Sequence, residues 1–542
     1  MPSRSLVGLP RDPFSAAYEN AVQALAEQTS YRDAAAGGGG EIALWRPPLA
    51  SADVSVLRDA RMVRARARDL VRNNPIAKNA VRMNRDAVSG SGLKLALAID
   101  WRTLGLSDIE AAAEWQDHVT RLWEAYAEGV DCAADARRLR TFSQLFMLAD
   151  QTDYVDGECL AVIEMKPSAL GYQTCLNLID IDRLENPNGR FDDERLRAGI
   201  ERDVYGEPVA YHIREGHPSD VASLKGLAWK RVERQTPWGR PIVLHSFEHQ
   251  RPEMTRGISE FASAIVPMKM LSKYTETELQ SAIAQAGYAA VIKTELDWAS
   301  AMAVIGAQAK SMGTGNPLSD IVSAHTLAAA DYAKKREIRY QGVDIPHLLP
   351  NESLEVIRPS HPNSVFADFE NAFIRQLAAG LGVEAHELGK NYREVNYSSA
   401  RAALLAVWRT YLTRRHRLVA QIAMPFFGAW LEEAVALGAV PLPKGVPSFQ
   451  AARPYLVRGT FIAWGKPMID PLKERQGQQL GVQMGVETLE EIAADAGRNW
   501  RDLADQSAYE RAYYRKLGLP HPSDLLAPPA ATPADDPIDE AA

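Results

Sequence analysis

The sequence predicts an α+β fold that is mainly helical, and three observations carry that reading. Residues 55–88 and 396–424 repeat apolar side chains at helical spacing. Residues 158–250 instead carry short alternating apolar runs separated by turn residues, the pattern of strands. The chain has 542 residues, 46% apolar and 24% charged, an ordinary globular composition long enough for several domains or one large elaborated one.

In chain order, residues 1–50 read as a flexible arm: a short helical pattern near 14–28, then Gly37-Gly38-Gly39-Gly40, whose ordering is entropically costly. The 55–88 pattern breaks at Asn73-Asn74-Pro75 and stops at Gly90 and Gly92, giving two helices. Further helices are predicted over 107–127 and 141–154. Strands follow at 160–165 and 174–179, a turn at Asn186-Pro187-Asn188-Gly189, and a hairpin around Tyr205-Gly206, together a mixed sheet. Helices return at 260–290 and 366–381, with a loop at 312–317 between them.

The 396–424 pattern is the most regular. Ser398 and Ser399 are candidate N-caps, and Leu405, Trp408, Leu412, Val419, Ile422 and Phe426 line one face of a rod roughly 40 Å long that ends at Pro425. Beyond it Pro441, Pro443, Pro447 and Pro454 crowd among Phe449, Tyr455, Phe461 and Trp464, so 425–463 is expected to be a compact insertion of short strands and turns. Asp470-Pro471 opens a new helix, with proline where a missing N–H costs nothing. That helix breaks at Gly485, and Thr488 caps the next one. Residues 491–519 complete the C-terminal helices, and 520–542 are too rich in Pro, Ala and Asp to pack.

Bulk properties exclude several classes. A net charge of −8 and a pI near 5.9 lack the basic footprint of a tight DNA binder, though they allow a wall past which DNA slides. No apolar run reaches the roughly 18–20 residues of a membrane span, and the N-terminus lacks a signal-peptide core. Cys132, Cys159 and Cys175 fit neither a disulfide framework nor a zinc site, so the expected compartment is reducing.

Four motifs invite a chemical reading. His245, Glu248 and His249 match the H-x-x-E-H pattern of a metal-dependent peptidase, the alternative function for this chain. That chemistry needs both imidazoles on one helix face. Here Pro241 and Pro252 bracket a strand entering a loop, which would hold the histidines about 13 Å apart. The arginines at 58, 61, 64, 66, 68, 72, 82 and 85 read as a solvated or subunit-facing surface paired with acids, or as a phosphate stripe. Arg414-Arg415-His416-Arg417 reads as a surface or intersubunit salt-bridge cluster, or a DNA contact. The glycine pairs Gly90/Gly92 and Gly313/Gly315 lack the spacing of a phosphate loop and read as turns. No catalytic, cofactor or metal residues are predicted.

A set of ordered blocks carries a resemblance. Asn396-Tyr397-Ser398-Ser399-Ala400-Arg401 looks like the signature helix of the lambda-type portal proteins of tailed bacteriophages. The run from Arg64 to Pro75, Ser89-Gly90-Ser91-Gly92-Leu93, Asp156-Gly157-Glu158, Leu178 to Leu184, Gly206 to Tyr211 and Arg256-Gly257-Ile258-Ser259 are similar to further family blocks. So are Trp464 to Glu474 and Gly485 to Ile492. Their order holds from about residue 56 to about residue 519. Gln476-Gly477 and Gly497-Arg498-Asn499 depart from the pattern.

The resemblance implies a portal fold: mainly helical, with a mixed β wing, a helical stem and a small α/β clip. It implies a wing-like body at 51–395, a first stem helix at 396–424, a clip at 425–463, and a second stem helix with a channel-proximal turn at 464–490. Leu405, Trp408, Leu412, Arg415, Val419 and Ile422 become candidate stem and oligomer residues. Gly485, Glu487, Thr488, Glu490, Glu491 and Asp495 become candidate DNA-channel residues. The implied role is not enzymatic: a homo-oligomeric ring, expected at twelve subunits, sits at one capsid vertex of the virion after assembling in the host cytoplasm. Through it double-stranded DNA is packaged and ejected. Its implied partners are the terminase large subunit, capsid and scaffold proteins, and a head–tail adaptor.

Overall fold

The computed structural model describes residues 47–522 except 107–108, 221–223, 288–290, 295–337, 341–342, 346–351, 356–365, 394 and 469. The arm pattern at 14–28, the 312–317 loop and most of the tail lie outside the described residues.

Most predicted elements form for the local reasons the sequence suggests. Helix α1 (Ala52–Asn73) is capped by Ser51, whose hydroxyl accepts from the Val54 N–H. Asn74 ends α1 and caps α2 (Pro75–Val88), its side chain accepting from Ile76 and Ala77. Strand β1 (Lys94–Leu97) and helix α3 (Ile109–Ala127) follow. Helix α4 (Phe142–Asp156) opens with a reciprocal Thr141–Gln144 capping box and closes on Gly157 in the left-handed region.

Where one mixed sheet is expected, the strands form two antiparallel ones. Strands β2 (Glu158–Met165), β3 (Thr174–Ile179) and β8 (Val243–Phe247) pair in the order β3-β2-β8. Strands β4 (Leu196–Arg197), β5 (Ile200–Arg202), β6 (Pro208–Arg214) and β7 (Trp229–Glu233) form a meander. Tight connections such as the one at Gly206 permit only antiparallel neighbours, because a parallel pair needs a crossover of about a dozen residues or more.

Next comes a unit the sequence reading did not isolate. Helix α5 (Ile265–Gly287) leads into β9 (Val291–Thr294), β10 (Ile338–Tyr340), β11 (Val343–Ile345) and β12 (Glu352–Glu355). Antiparallel pairing of β9 with β12 brings the ends of this excursion together, and β10 pairs with β11. Helix α6 (Phe366–Leu381) then returns beside α5, where Tyr274 meets Phe366 and Phe369 at ring distances of 5.7 and 4.8 Å. The helix–small module–helix order expected at 396–490 is therefore present at 265–381.

After the short α7 (Ala385–Gly389), helix α8 (Tyr397–Leu418) does not stop at Pro425. It passes through a π turn (Val419–Ala423) into α9 (Met424–Ala436). A proline inside an α-helix lacks one N–H and collides with the carbonyl four residues back. The wider turn just ahead of Pro425 relieves both, so the rod continues. The cap is also different from the expectation: Asn396, not Ser398 or Ser399, holds the first turn, in a reciprocal box with Ser399.

Residues 425–463 are likewise not an outlying insertion of strands. Phe426, Phe427 and Trp430 on α9 are fully buried and surround Trp123 with Phe142 and Phe461, at ring distances of 5.2 to 6.0 Å. Helix α10 (Phe449–Leu456) follows, and the single strand here, β13 (Gly459–Ile462), pairs with β1. A window rich in aromatics and prolines reads as turns, yet its rings bury enough apolar area to centre the main core. The continuous 398–436 helix is long and apolar enough to cross a membrane, but 67% of its most apolar window is buried inside the fold, as in a core helix. Helices α11 (Pro471–Gln483, capped by Asp470), α12 (Leu489–Asp495) and α13 (Trp500–Lys516) complete the described chain.

Gly157 is required twice over. Its φ is 87°, and a Cβ there would lie 2.1 Å from the Ile258 carbonyl carbon. Gly171 has a similar φ of 85° with nothing within 4 Å. Gly157→Ala is therefore expected to lower stability by clearly more than Gly171→Ala, which bears only the backbone strain of about 1 kcal/mol. Equal denaturation midpoints for the two variants would contradict this.

Candidate functional site

Charged residues that sequence reasoning assigns to surfaces are drawn into the interior. Glu158, at the start of β2, is fully buried. Its Oε1 accepts from Arg64 Nη2 at 2.7 Å and Arg256 Nη2 at 2.8 Å; its Oε2 accepts from Arg256 Nε at 2.7 Å and lies 3.0 Å from His245 Nε2. Burial alone would raise the Glu158 pKa. Arg256, His245 and Arg64 outweigh it and hold the carboxyl well below the usual carboxylate range. Arg64 also reaches Asp182 at 2.7 Å, and Arg68 spans Asp156, Asp180 and Asp182. These two arginines thus pair with acids as expected, Arg64 inside the fold and Arg68 half-buried at its edge.

The H-x-x-E-H residues do separate jobs. His245 sits on β8 with its Nε2 engaged by Glu158, and burial pushes its pKa down. Glu248 and His249 lie beyond the strand in an exposed loop, so no helix face unites the three residues. Among the described residues one other group, Asp180, Asp182 and His217, brings possible ligand atoms within 4.8 Å of one another. Arg64 and Arg68 already bond both oxygens of Asp182, and Arg68 bonds Asp180. A cation there would have to displace guanidinium groups, so the cluster reads as an ion-pair network.

The three arginines of the basic cluster on α8 are also drawn inward, while His416 stays exposed. Arg414 is buried and donates to Asn84 Oδ1 and the Leu381 carbonyl, with Glu260 at 3.2 Å. Arg415 donates to the carbonyls of Val88, Ala87 and Trp464. Arg417 grips Asp153 through both oxygens. These three side chains strap α8 to α2, α4 and the end of α6, so they bond within the protomer rather than lying free on a solvated surface.

Of the candidate oligomer residues, Val419 and Ile422 are buried, Trp408 is half-buried, and Leu405 and Leu412 remain 39% and 43% exposed. The face is therefore sealed at its C-terminal half and open at its N-terminal half. Trp408, Leu412, Arg415 and Val419 line a groove of about 260 Å³ whose far wall includes Asp495. The structure thus brings part of one predicted set beside part of the other. The rest of the acidic set is as the sequence suggests locally: Gly485 has a φ of 71°, and Thr488 and Glu491 cap α12 reciprocally. Glu487, Glu490, Glu491 and Asp495 are exposed.

Large apolar areas stay uncovered elsewhere. On α5, Val266, Met270, Leu279 and Ile283 are 60–63% exposed. Helices α11 and α13 bury no residue at all, and α13 shows Leu503, Tyr509 and Tyr513 to solvent. Isolated helices of this length are marginal in water, and such surfaces mark contacts with further chains. Between α6 and α8 lies a loop with exposed Tyr392 and Arg393, and Lys390 in the left-handed region.

The profile of the phage portal protein lambda family matches residues 38–415. The portal protein of Escherichia phage N15 is 34% identical over 503 residues, covering 92% of this chain and 93% of that protein. Portal protein B of Escherichia phage lambda is 33% identical over 504 residues, 92% of each chain. Among solved structures, a chain from the virion of a native gene transfer agent particle aligns over 86% of this chain and 97% of its own, with 15% identity and a TM-score of 0.44.

Two substitutions test the buried charges. Glu158→Gln should cost about 3–5 kcal/mol, because it leaves buried arginines uncompensated, and a denaturation midpoint near wild type would refute the network's importance. Asp150 is fully buried, and burial together with the Asp153 charge pushes its pKa up to about 7. A folded pKa above the unfolded one means that its favourable contribution is complete below about pH 4 and lost as pH rises through about 7. Asp150→Asn should therefore gain melting temperature over wild type as pH rises from about 5 to about 8.5, and a gap independent of pH would contradict the assignment.

Proposed function

The chain belongs to the lambda family of phage portal proteins, and from that premise we propose that it forms a homo-oligomeric ring at one vertex of the virion capsid. Double-stranded DNA passes through the ring during packaging and ejection. The chain works as a structural protein without catalysis of its own. Its partners are the capsid and scaffold proteins, the terminase large subunit that supplies the motor, and later a head–tail adaptor. The ring has twelve subunits in the capsid and passes through the host cytoplasm before assembly.

The observation that carries the ring is the apolar surface left open by helices that one protomer cannot cover. The four exposed side chains on α5, and the absence of any buried residue on α11 and α13, fit burial against neighbouring copies.

The helix–module–helix unit at 265–381 is our choice for stem, clip and stem, in place of 396–490. The channel segment is then the loop that follows the second stem helix, residues 382–396, rather than 485–495. Glu387, Lys390, Tyr392, Arg393 and Asn396 are exposed there, with Lys390 Nζ 3.8 Å from Glu387 Oε1, and Lys390 and Arg393 are the cations offered to DNA. The Leu381 carbonyl at its start is fastened by Arg414 and Tyr154, which suits a loop held in place while DNA moves past.

Purified full-length protein should show rings with a central hole by negative-stain microscopy, and a strictly monomeric protein at micromolar concentration would count against the reading. Lys390→Glu combined with Arg393→Glu should leave rings intact while reducing the rate or length of DNA packaged. Wild-type packaging by that variant would remove the channel role from this loop.

A further inference from the structure

A ring of identical subunits closes only if each copy offers its neighbours two different, complementary faces. Two exposed faces of this chain have that relation. The first is the outer side of α1. Arg58, Arg61, Arg66 and Arg72 are exposed there around Met62, which is 57% exposed, against the exposed acids Asp59 and Asp69. The ion pairs that α1 makes among the described residues involve Asp53, Arg64 and Arg68, and leave these four arginines unpaired. The second face is the turn from α11 into α12. Met484, Val486 and Leu489 are 65–75% exposed, ringed by the exposed acids Glu487, Glu490 and Asp495. Arg498 is the exposed cation that follows them.

Within one protomer the two faces serve different neighbourhoods. Helix α1 packs on α2, α4 and α5. The α12 segment lies against α13 and the 465–466 backbone, where the Lys466 N–H donates to the Asp495 carbonyl. We infer that the basic face of α1 in one copy docks on the acidic 484–495 face of the next. This rests on the ring reading. Met62 meets the apolar trio, while the arginines and carboxylates around them set register and steer encounter. The exposed arginines of α1 and the acidic stretch, each unexplained by the channel, then become two halves of one contact. Arg64 and Arg68 are excluded from it because they are spent on Glu158, Asp156, Asp180 and Asp182.

Reciprocal charge reversal in the full-length protein tests the pairing. Arg58→Glu, Arg61→Glu and Arg66→Glu together, or Glu487→Arg, Glu490→Arg and Asp495→Arg together, should each raise the concentration needed for half-assembly by about tenfold or more. Combining all six should restore it. Sedimentation and negative-stain imaging read the assembly, and thermal melting shows that each variant folds. Wild-type rings with unaffected single-face variants, or single-face losses that the combination fails to rescue, overturn the pairing and leave the ring reading intact. A wild-type protein that never forms rings removes the ring reading itself. Should a reversal fail to fold, the salt dependence of wild-type assembly decides: the proposal requires weakening between low and high salt, and indifference to salt overturns it.

Discussion

Glu158 has no contact with water, and groups from three distant stretches converge on its carboxylate: Arg64 from α1, His245 from β8 and Arg256 from the segment after β8. An unpaired carboxylate in that position would be prohibitively costly, so all three elements must arrive together or the charge is left stranded. That makes the residue a constraint on architecture more than a source of net stability. It fixes how α1 crosses the start of the three-stranded sheet, and through Asp182 and Arg68 it extends to the strand ends beyond. The same requirement turns α1 so that Arg58, Arg61 and Arg66 look outward.

A second buried polar region does comparable work around α8. Asp150 accepts from Asn84 and Ser89, Asn84 in turn accepts from Arg414, and Arg417 holds Asp153. Burial raises the pKa values of both Asp150 and Asp153, and the Asp153 charge raises that of Asp150 further, which gives the region its pH sensitivity. Just beyond it, the π turn carries the helix through Pro425 into the aromatic cluster around Trp123. One rod thereby joins a polar clamp near its middle to the aromatic cluster packed on its C-terminal half. The rigid body that results contrasts with α5, α11 and α13, whose open apolar faces a single chain cannot satisfy.

Much of the local structure was legible without coordinates. The break at Asn74-Pro75, the Thr141 start, the Gly206 hairpin, the Asp470-Pro471 start and the Thr488 cap are short-range devices whose donors and acceptors lie within a few residues of each other. Ordered family blocks added the identity, and 34% identity over 92% of the chain agrees with them. The errors share a cause. Pro425 was read as a terminator because a proline's local effect is to break a helix, whereas the π turn that absorbs it depends on packing around α9. The 425–463 window reads as a compact insertion of short strands and turns because its prolines crowd among aromatics, yet the burial of those rings is decided by Trp123, about three hundred residues away in sequence.

Alone, then, the sequence determined most helices of the first half of the chain, several of their starts and stops, and the family to which the chain belongs. Those properties follow from backbone capping, apolar periodicity and motif order, all of which act along the chain. Only the tertiary structure decided which charges are buried and which apolar faces stay open. An arginine at 64 and one at 66 look alike in sequence. Their fates differ because one points at Glu158, Asp182 and the interior while the other points at solvent, and that distinction belongs to the packing of distant segments.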